Sequence, residues 1–471
     1  MKTVTEKENL NSYSENELKA RAEQVKAKSW QALSDAIEPE YSEPIVRKLR
    51  ELYDLFDNRI VTWLANLYDP KIGGWYFTNS ARDNDGFLPD IESTYGALRY
   101  LAVSGMCEAV GGAWENGIPE WLKKKVVDFI YPLQDEDGYF YQPQWPKEYI
   151  TENKRFSKMS RDKGWAKSIF GKLGVEAKYG FGIPTSGSSQ SLTKIFESAE
   201  AFKAHLEGEL ADGIERFSKR FDDPKARTFY GIGNSFQSNA AVINAKPELR
   251  EVYKSFFGSA QNKKTGAWGD TVCYNATNAA HKIVCTYNML GLKLECIDEL
   301  LETTFKVLSL TSDECPASGA VDIYNAWSVF SYIYDNILEC GDGTEEERIA
   351  KKAAIKRRVL EFAPKGIAIS REQISHFKRE DGSFSYNYDR TSFLSQGAPV
   401  ALYGEIEGDV NGTCISSTGT LFSLARALGI PKPPIYSDKD REAFFDLLSK
   451  VKHKEKLVRK PDDFYFGYRK S

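Results

Sequence analysis

An all-α fold, a ring of about six helical hairpins, is what this sequence predicts, and three observations predict it. A phrase of glycine, any residue and a large aromatic returns as Gly73-Gly74-Trp75, Gly138-Tyr139-Phe140, Gly266-Ala267-Trp268 and Gly382-Ser383-Phe384, with a weaker Gly319-Ala320-Val321. These copies start 65, 128, 53 and 63 residues apart, so the long gap spans about two periods and hides a degenerate copy near Gly180 to Ser189. Each clear copy is followed by a segment of helical character. Units of about 60 residues hold one helical hairpin each, and a hairpin cannot bury its apolar face without neighbours.

The elements follow in order. Residues 1–65 supply amphipathic helices, with Leu49, Leu52, Leu55, Phe56, Ile60 and Leu64 near helical spacing, expected to pack on the outside of the ring. The ring itself is expected over 66–431. Its inner helices can be overlaid: Ile91-Glu92-Ser93-Thr94 runs on to Gly105, Thr277-Asn278-Ala279-Ala280-His281 to Gly291, and Ile415-Ser416-Ser417-Thr418 to Gly429. A closing glycine suits a left-handed helix cap. The stretch 143–187 is the least repetitive and holds Arg155, Lys158, Arg161, Lys163, Trp165 and Lys167, which reads as a lid or a plain surface loop. Residues 432–471 read as a linker and a surface helix, and the run Lys450, Lys452, Lys454 and Lys456 as a solvated face.

With those pieces in place, Gln134 through Phe140 and Gln261 through Trp268 resemble the glutamine-to-tryptophan repeat of squalene and other terpenoid cyclases. The likeness runs in pieces from residue 73 to 429 and implies an α/α toroid, one large domain. The same toroid carries protein prenyltransferases, polysaccharide lyases and glycosidases, so it constrains architecture more than chemistry.

Composition agrees with a large helical core: 41% of residues are hydrophobic and 13% aromatic, enough to line a cavity as well. The net charge is −4 with Lys and Arg dispersed, so no electrostatic footprint for nucleic acid or an anionic membrane is expected. Seven scattered cysteines read as free thiols in a reducing compartment. No signal peptide and no membrane-spanning run are legible, so a cytoplasmic protein is expected.

Chemistry is expected where the inner helices begin, because their N-termini crowd one rim and favour anions. The richest rim segment runs from Trp268 to His281. Asn278 and His281 share a helical face, with Tyr274 one turn earlier. Toroid polysaccharide lyases use these residue types: an amide or imidazole neutralises a uronate carboxylate, a tyrosine or histidine takes the C5 proton, and a tyrosine protonates the leaving oxygen. The resemblance implies those roles for Asn278, His281 and Tyr274; no arginine of such a site can be assigned from the sequence. The bland alternative makes His281 a packed core histidine and Asn275 and Thr277 helix caps.

A second set is acidic. Asp83, Asp85, Asp90 and Glu92 surround the first inner helix, and Glu405, Glu407 and Asp409 precede the last. First and sixth hairpins meet in a closed ring, so Asp90, Glu92, Glu407 and Asp409 are the candidate acid and base of a glycosidase, or simply N-caps. Trp75, Tyr141, Trp145, Trp268 and Arg161 are the candidate sugar contacts, with Tyr76, Phe87, Tyr139 and Phe384 as further rim aromatics, unless they pack the repeat itself.

Other chemistries fit less well. Cys285 lies four residues after His281 with Cys273 nearby, but the spacing does not match a prenyltransferase zinc site, so no metal and no cofactor is expected. There is no Asp-x-Asp-Asp run for alkene protonation, and Gly231-Ile232-Gly233 lacks the third glycine of a dinucleotide fingerprint. The leading expectation is a lyase or hydrolase for small uronic-acid-containing oligosaccharides. A terpenoid cyclase or prenyltransferase relative with an isoprenoid in an apolar cavity, and a noncatalytic binding or scaffold toroid, are the alternatives. The oligomeric state is not legible.

Overall fold

The computed structural model describes residues 15–152, 156–181 and 194–457. Fifteen helices of eight residues or more carry the architecture among these residues: α1 Glu15–Asp35, α2 Pro39–Tyr53, α3 Arg59–Asn66, α4 Ile91–Val103, α5 Glu120–Ile130, α6 Phe156–Leu173, α7 Ala199–Phe217, α8 Pro224–Gln237, α9 Pro247–Ala260, α10 Tyr274–Met289, α11 Ile297–Val307, α12 Ala320–Cys340, α13 Glu345–Ser375, α14 Thr418–Leu428 and α15 Asp438–Lys450. Among the described residues, strands are confined to two tiny antiparallel pairs, Tyr68–Asp69 with Gly74–Trp75 and Leu394–Ser395 with Ala398–Pro399.

Six consecutive hairpins, α3/α4, α5/α6, α7/α8, α9/α10, α11/α12 and α13/α14, form an α/α toroid. The second member of each lies inside: α8 packs on α10, α10 on α12, α12 on α14, and the π turn Asn411–Ser417 that opens α14 packs on α4, which in turn touches α6. Arg161 of α6 acts electrostatically on Tyr230 of α8 and Lys282 of α10, so these helices face one hollow. Most residues of α4, α10, α12 and α14 are buried, whereas α6 and α8 keep exposed positions as well. Helices α1, α2 and α15 cover the seam: α2 lies on α13, α15 on α3, and α1 on both α2 and α15.

The repeated phrase has a physical role in each turn. Gly73, Gly138, Gly266 and Gly382 all have positive φ, and at Gly266 a Cβ would fall 2.2 Å from the Leu300 amide nitrogen, so only glycine fits. Trp75 and Trp268 are fully buried, and each indole N–H donates to a carbonyl in the last turn of the preceding outer helix, Leu64 at 3.0 Å and Phe257 at 2.7 Å. The glutamines tie one repeat to the next: Gln261 donates to the Gly266 and Glu295 carbonyls, and Gln134 and Tyr179 exchange two bonds of 2.9 Å.

Three expectations shift. The hidden hairpin turns at residues 218–223, where Asp223 caps α8, and carries no glycine-aromatic phrase; residues 182–193 lie outside the described residues. Within the stretch read as a lid, Phe156–Leu173 is the inner helix of the second hairpin. The sixth inner helix is offset by five residues from the sequence overlay. Thr94 accepts from the Trp75 amide and Thr413 from the Phe384 amide, so Asp409-to-Thr413 matches Asp90-to-Thr94, and the sixth inner segment, which includes the π turn, is the longer of the two. The closing glycines Gly105, Gly291 and Gly429 do take positive φ.

In the tail, Lys450, Lys452 and Lys454 are exposed as expected, while residues 451–457 also form a strap in which Lys456 is half-buried. His453 bonds the buried Asp69 at 2.9 Å, the Gly86 amide donates to the Leu457 carbonyl, and Lys456 sits over the Tyr76 ring.

Candidate functional site

Chemically capable side chains converge at the predicted rim, but the residues that meet there are mostly not those singled out from sequence. A cleft of about 720 Å³ opens over the N-termini of α8, α10 and α12. The end of α7 contributes Phe217, the turn before α8 contributes Arg220 and Phe221, and the first turns of α8 contribute Arg227 and Tyr230. Asn275 and Asn278 come from α10, Ser318 to Asp322 from the start of α12, and Tyr386 to Arg390 from the loop before α14.

Arg227 is held by aromatic faces, its guanidinium 5.2 Å from the ring centres of Phe217 and Tyr230 and 5.5 Å from that of Phe221. A cation so near a helix N-terminus opposes the helix dipole, and cation–π contacts offset part of that cost. Asp322 is bound on all sides: it accepts from the Ser318 and Gly319 amides, the Ser318 hydroxyl and Asn278 Nδ2. Asn278 Oδ1 accepts in turn from Asn325, which fixes its side chain in the cleft wall. Burial pushes the phenols of Tyr230 and Tyr386 up, so both are protonated at neutral pH. Their surroundings still differ. Asp322 pushes both up, but Arg227, Asn325 and Arg161 pull Tyr230 back down, whereas Tyr230, Tyr324 and Asp409 push Tyr386 further up.

Of the lyase set, Asn278 alone lines the cleft. Tyr274 is buried, and its hydroxyl has no partner among the described residues. His281 is 5% exposed, edge-on to Tyr324 at 5.9 Å and Tyr332 at 5.3 Å, with Nδ1 unpartnered among the described residues. Burial and the neighbouring Lys282 hold it well below the usual histidine range. Tyr274 and His281 are therefore turned into the seam between α10 and α12, and of the three only Asn278 reaches the cleft.

The acidic set is not gathered across one cleft. Asp90 caps α4, accepting from the Ser93 amide and hydroxyl. Asp409 accepts from the Gly412 and Tyr386 amides, and burial pushes its carboxyl up to about 7. Glu407 accepts from the Ser80 amide, and burial raises it too. Glu92 is buried in an ion cluster: Lys158, fully enclosed, lies 3.1 Å from Glu92, 2.9 Å from Asp162 and 3.7 Å from Asp90, and Arg161 lies 2.9 Å from Glu92. Burial pushes Asp162 up to about 7. With that proton on Asp162, two cations balance two carboxylates, the arrangement a buried cluster needs.

The candidate sugar contacts divide similarly. Trp75 and Trp268 belong to the core of the repeat, and Trp145 is buried with its indole donating to the Pro399 carbonyl. Tyr141 is half-buried and donates to Asp137. Arg161 is 39% exposed and faces the hollow. The sequence held one overlooked signal: Arg227 and Tyr230, three apart at the start of an inner helix, place a cation where the dipole disfavours one.

No protein-family model matches this chain, and no curated protein does. Among solved structures, the chain is similar to MstE, a type II terpene cyclase variant from Scytonema in complex with its substrate geranylgeranyl dihydroxybenzoate. That similarity has 15% identity over 81% of this chain and 99% of that one, at a TM-score of 0.29. A likeness that distant says nothing of this chain's chemistry, and the ring described above rests on the chain's own helix contacts. No described helix is long and apolar enough to cross a membrane.

Proposed function

We propose that the rim cleft binds a uronic-acid-containing oligosaccharide and that the protein cleaves it as a lyase. The observation that carries this is the meeting of Arg220, Arg227 and Arg390 with Asn275, Asn278, Tyr230 and Tyr386 in one cleft. Guanidinium and amide groups recognise a carboxylate and stabilise the enolate-like charge that develops when its neighbouring proton leaves. The rings of Phe217, Phe221 and Tyr388 supply faces for a sugar.

In the elimination, Tyr230 first gives its phenol proton to solvent, a loss that burial and Asp322 oppose and that Arg227 and Arg161 favour, and then takes the C5 proton. The C–H electrons form the C4–C5 double bond as the C4–O bond breaks, and Tyr386 delivers its proton to the leaving oxygen. The arginines beside Tyr230, and their absence among the groups that act most on Tyr386, assign the base and the acid. Hydrolysis is less well supported, since Asp90, Asp322 and Asp409 are engaged as helix caps and Glu92 is ion-paired. An isoprenoid would have to share the hollow with Arg99, Arg161 and Lys282, a poor setting for a hydrocarbon chain.

Incubation with a panel of uronate and neutral oligosaccharides, followed by absorbance near about 235 nm where unsaturated uronates absorb, tests the reading. Absorbance is expected with an acidic sugar and none with neutral ones. If every acidic sugar leaves the absorbance flat, the lyase reading is lost.

A further inference from the structure

Below the rim, partly exposed positions on the inner helices mark what faces the hollow: Tyr95 and Arg99 on α4, Arg161 and Trp165 on α6, Lys282 and Cys285 on α10, Tyr324 and Tyr332 on α12. Cations therefore enter one space from three helices. Tyr324 feels both Arg99 and Arg161, and Lys282 feels Arg161. Their neutralisation is incomplete. Arg161 has Glu92, but Arg99 has only the Cys414 carbonyl at 3.3 Å and Lys282 only Gln237 at 3.1 Å. Neither has a carboxylate within ion-pair distance among the described residues.

Two further features accompany the charge. Tyr95 and Trp165, each one helical turn from its arginine, stack with ring centres 4.1 Å apart and planes 15° apart, a flat wall beside the guanidinium groups. His281 leaves a buried nitrogen without a partner next to Lys282. Holding like charges together in a partly desolvated hollow costs stability unless an anion joins them.

We propose that the hollow is a second anion subsite, in which Arg99, Arg161 and Lys282 hold another acidic group, a carboxylate or a sulfate ester, of an oligosaccharide that extends inward from the rim cleft. The anion is argued from the hollow alone; that a sugar carries it rests on the function proposed above. The substrate class is then a polyanionic oligosaccharide rather than one with a single terminal uronate. Burial and Arg161 together hold the Lys282 amine below the ordinary lysine range, consistent with a site that lacks its counter-ion.

The test compares binding of three hexasaccharides by calorimetry, a polyuronate, a sulfated glycosaminoglycan fragment and a neutral glucan, to the wild type and to Arg99→Gln/Lys282→Gln. At least one acidic probe is expected to bind and the neutral one not. The double variant should lose about tenfold or more in affinity for that probe, with a shallower salt dependence and an unchanged or higher melting temperature. The stronger acidic probe identifies carboxylate or sulfate as the occupant. Should the double variant fail to fold, acylation of Lys282 in the wild type, read by mass spectrometry, replaces it, and the acidic hexasaccharide should protect. Unchanged affinity in the double variant, or unprotected Lys282 at saturating probe, overturns the proposal. The proposed lyase function fails separately, by the absence of an unsaturated product from any acidic disaccharide or longer sugar.

Discussion

Two sides of the ring treat charge in opposite ways. Between the first and second hairpins Lys158 is enclosed by Asp90, Glu92 and Asp162, and Arg161 also pairs with Glu92, so each cation there has a carboxylate beside it. Between the third and fifth hairpins Arg227 rests on aromatic faces and Lys282 on an amide, with no carboxylate within ion-pair distance of either among the described residues. The first arrangement is complete without a ligand and belongs to the fold. The second is incomplete, which is the property of a surface shaped for an incoming anion.

The largest effect expected from this contrast is structural. Lys158→Met leaves buried carboxylates without their cation and should cost about 3–5 kcal/mol of stability, read as a fall in the denaturant midpoint. Loss of under about 1 kcal/mol would mean the cluster is not a structural unit.

Next comes the cleft. Tyr386→Phe removes the proposed proton donor and should lower kcat by roughly 100-fold or more, with KM and melting temperature little changed. A purely structural tyrosine would instead move the melting temperature and leave turnover per folded molecule intact.

A smaller effect concerns pH. Asp162 and Asp409 stand at about 7 in the folded chain, against about 4 for an ordinary aspartate. Between those values the folded state holds protons the unfolded state has released, so stability falls as pH rises through that window, and the contribution is fully present below it. Asp83, held down to about 2 chiefly by its hydrogen bond with Arg82, acts oppositely, its contribution being lost as pH falls toward 2. Asp162→Asn should therefore flatten the decline in stability between pH 5 and 7 of the wild type, measured by denaturation across that range; an unaltered slope would contradict the assignment. The smallest change is expected outside both regions, where Lys124→Ala breaks an exposed pair with Asp128 and should cost at most about 0.5 kcal/mol.

What the sequence revealed follows from how local each constraint is. Gly266 and Gly382 are fixed by positive φ, and Trp75 and Trp268 by a bond reaching back one helix end, so a short phrase records an entire hairpin turn. The third hairpin escaped because its turn is organised by Asp223, which accepts from the Ala226, Asp270 and Thr271 amides and so needs no glycine. The site was half legible. Its rim followed from helix direction, and Asn278 from its place on α10. Tyr230, Tyr386 and Arg227 join it from separate hairpins, and no periodicity in one segment reports that meeting. The acidic residues misled because Asp90 and Asp409 carry the same side chain for capping as for catalysis, and only the amides they accept from distinguish the two.

The most direct test is the affinity of a uronate tetrasaccharide for the wild type and for Arg227→Gln, measured against ionic strength and beside a neutral tetrasaccharide of equal length. Binding should favour the acidic sugar, weaken with salt, and fall with a flatter salt response in the variant. Equal affinity for the neutral sugar, or an unaffected variant, would contradict the claim that the unneutralised side of the ring is built for an acidic ligand.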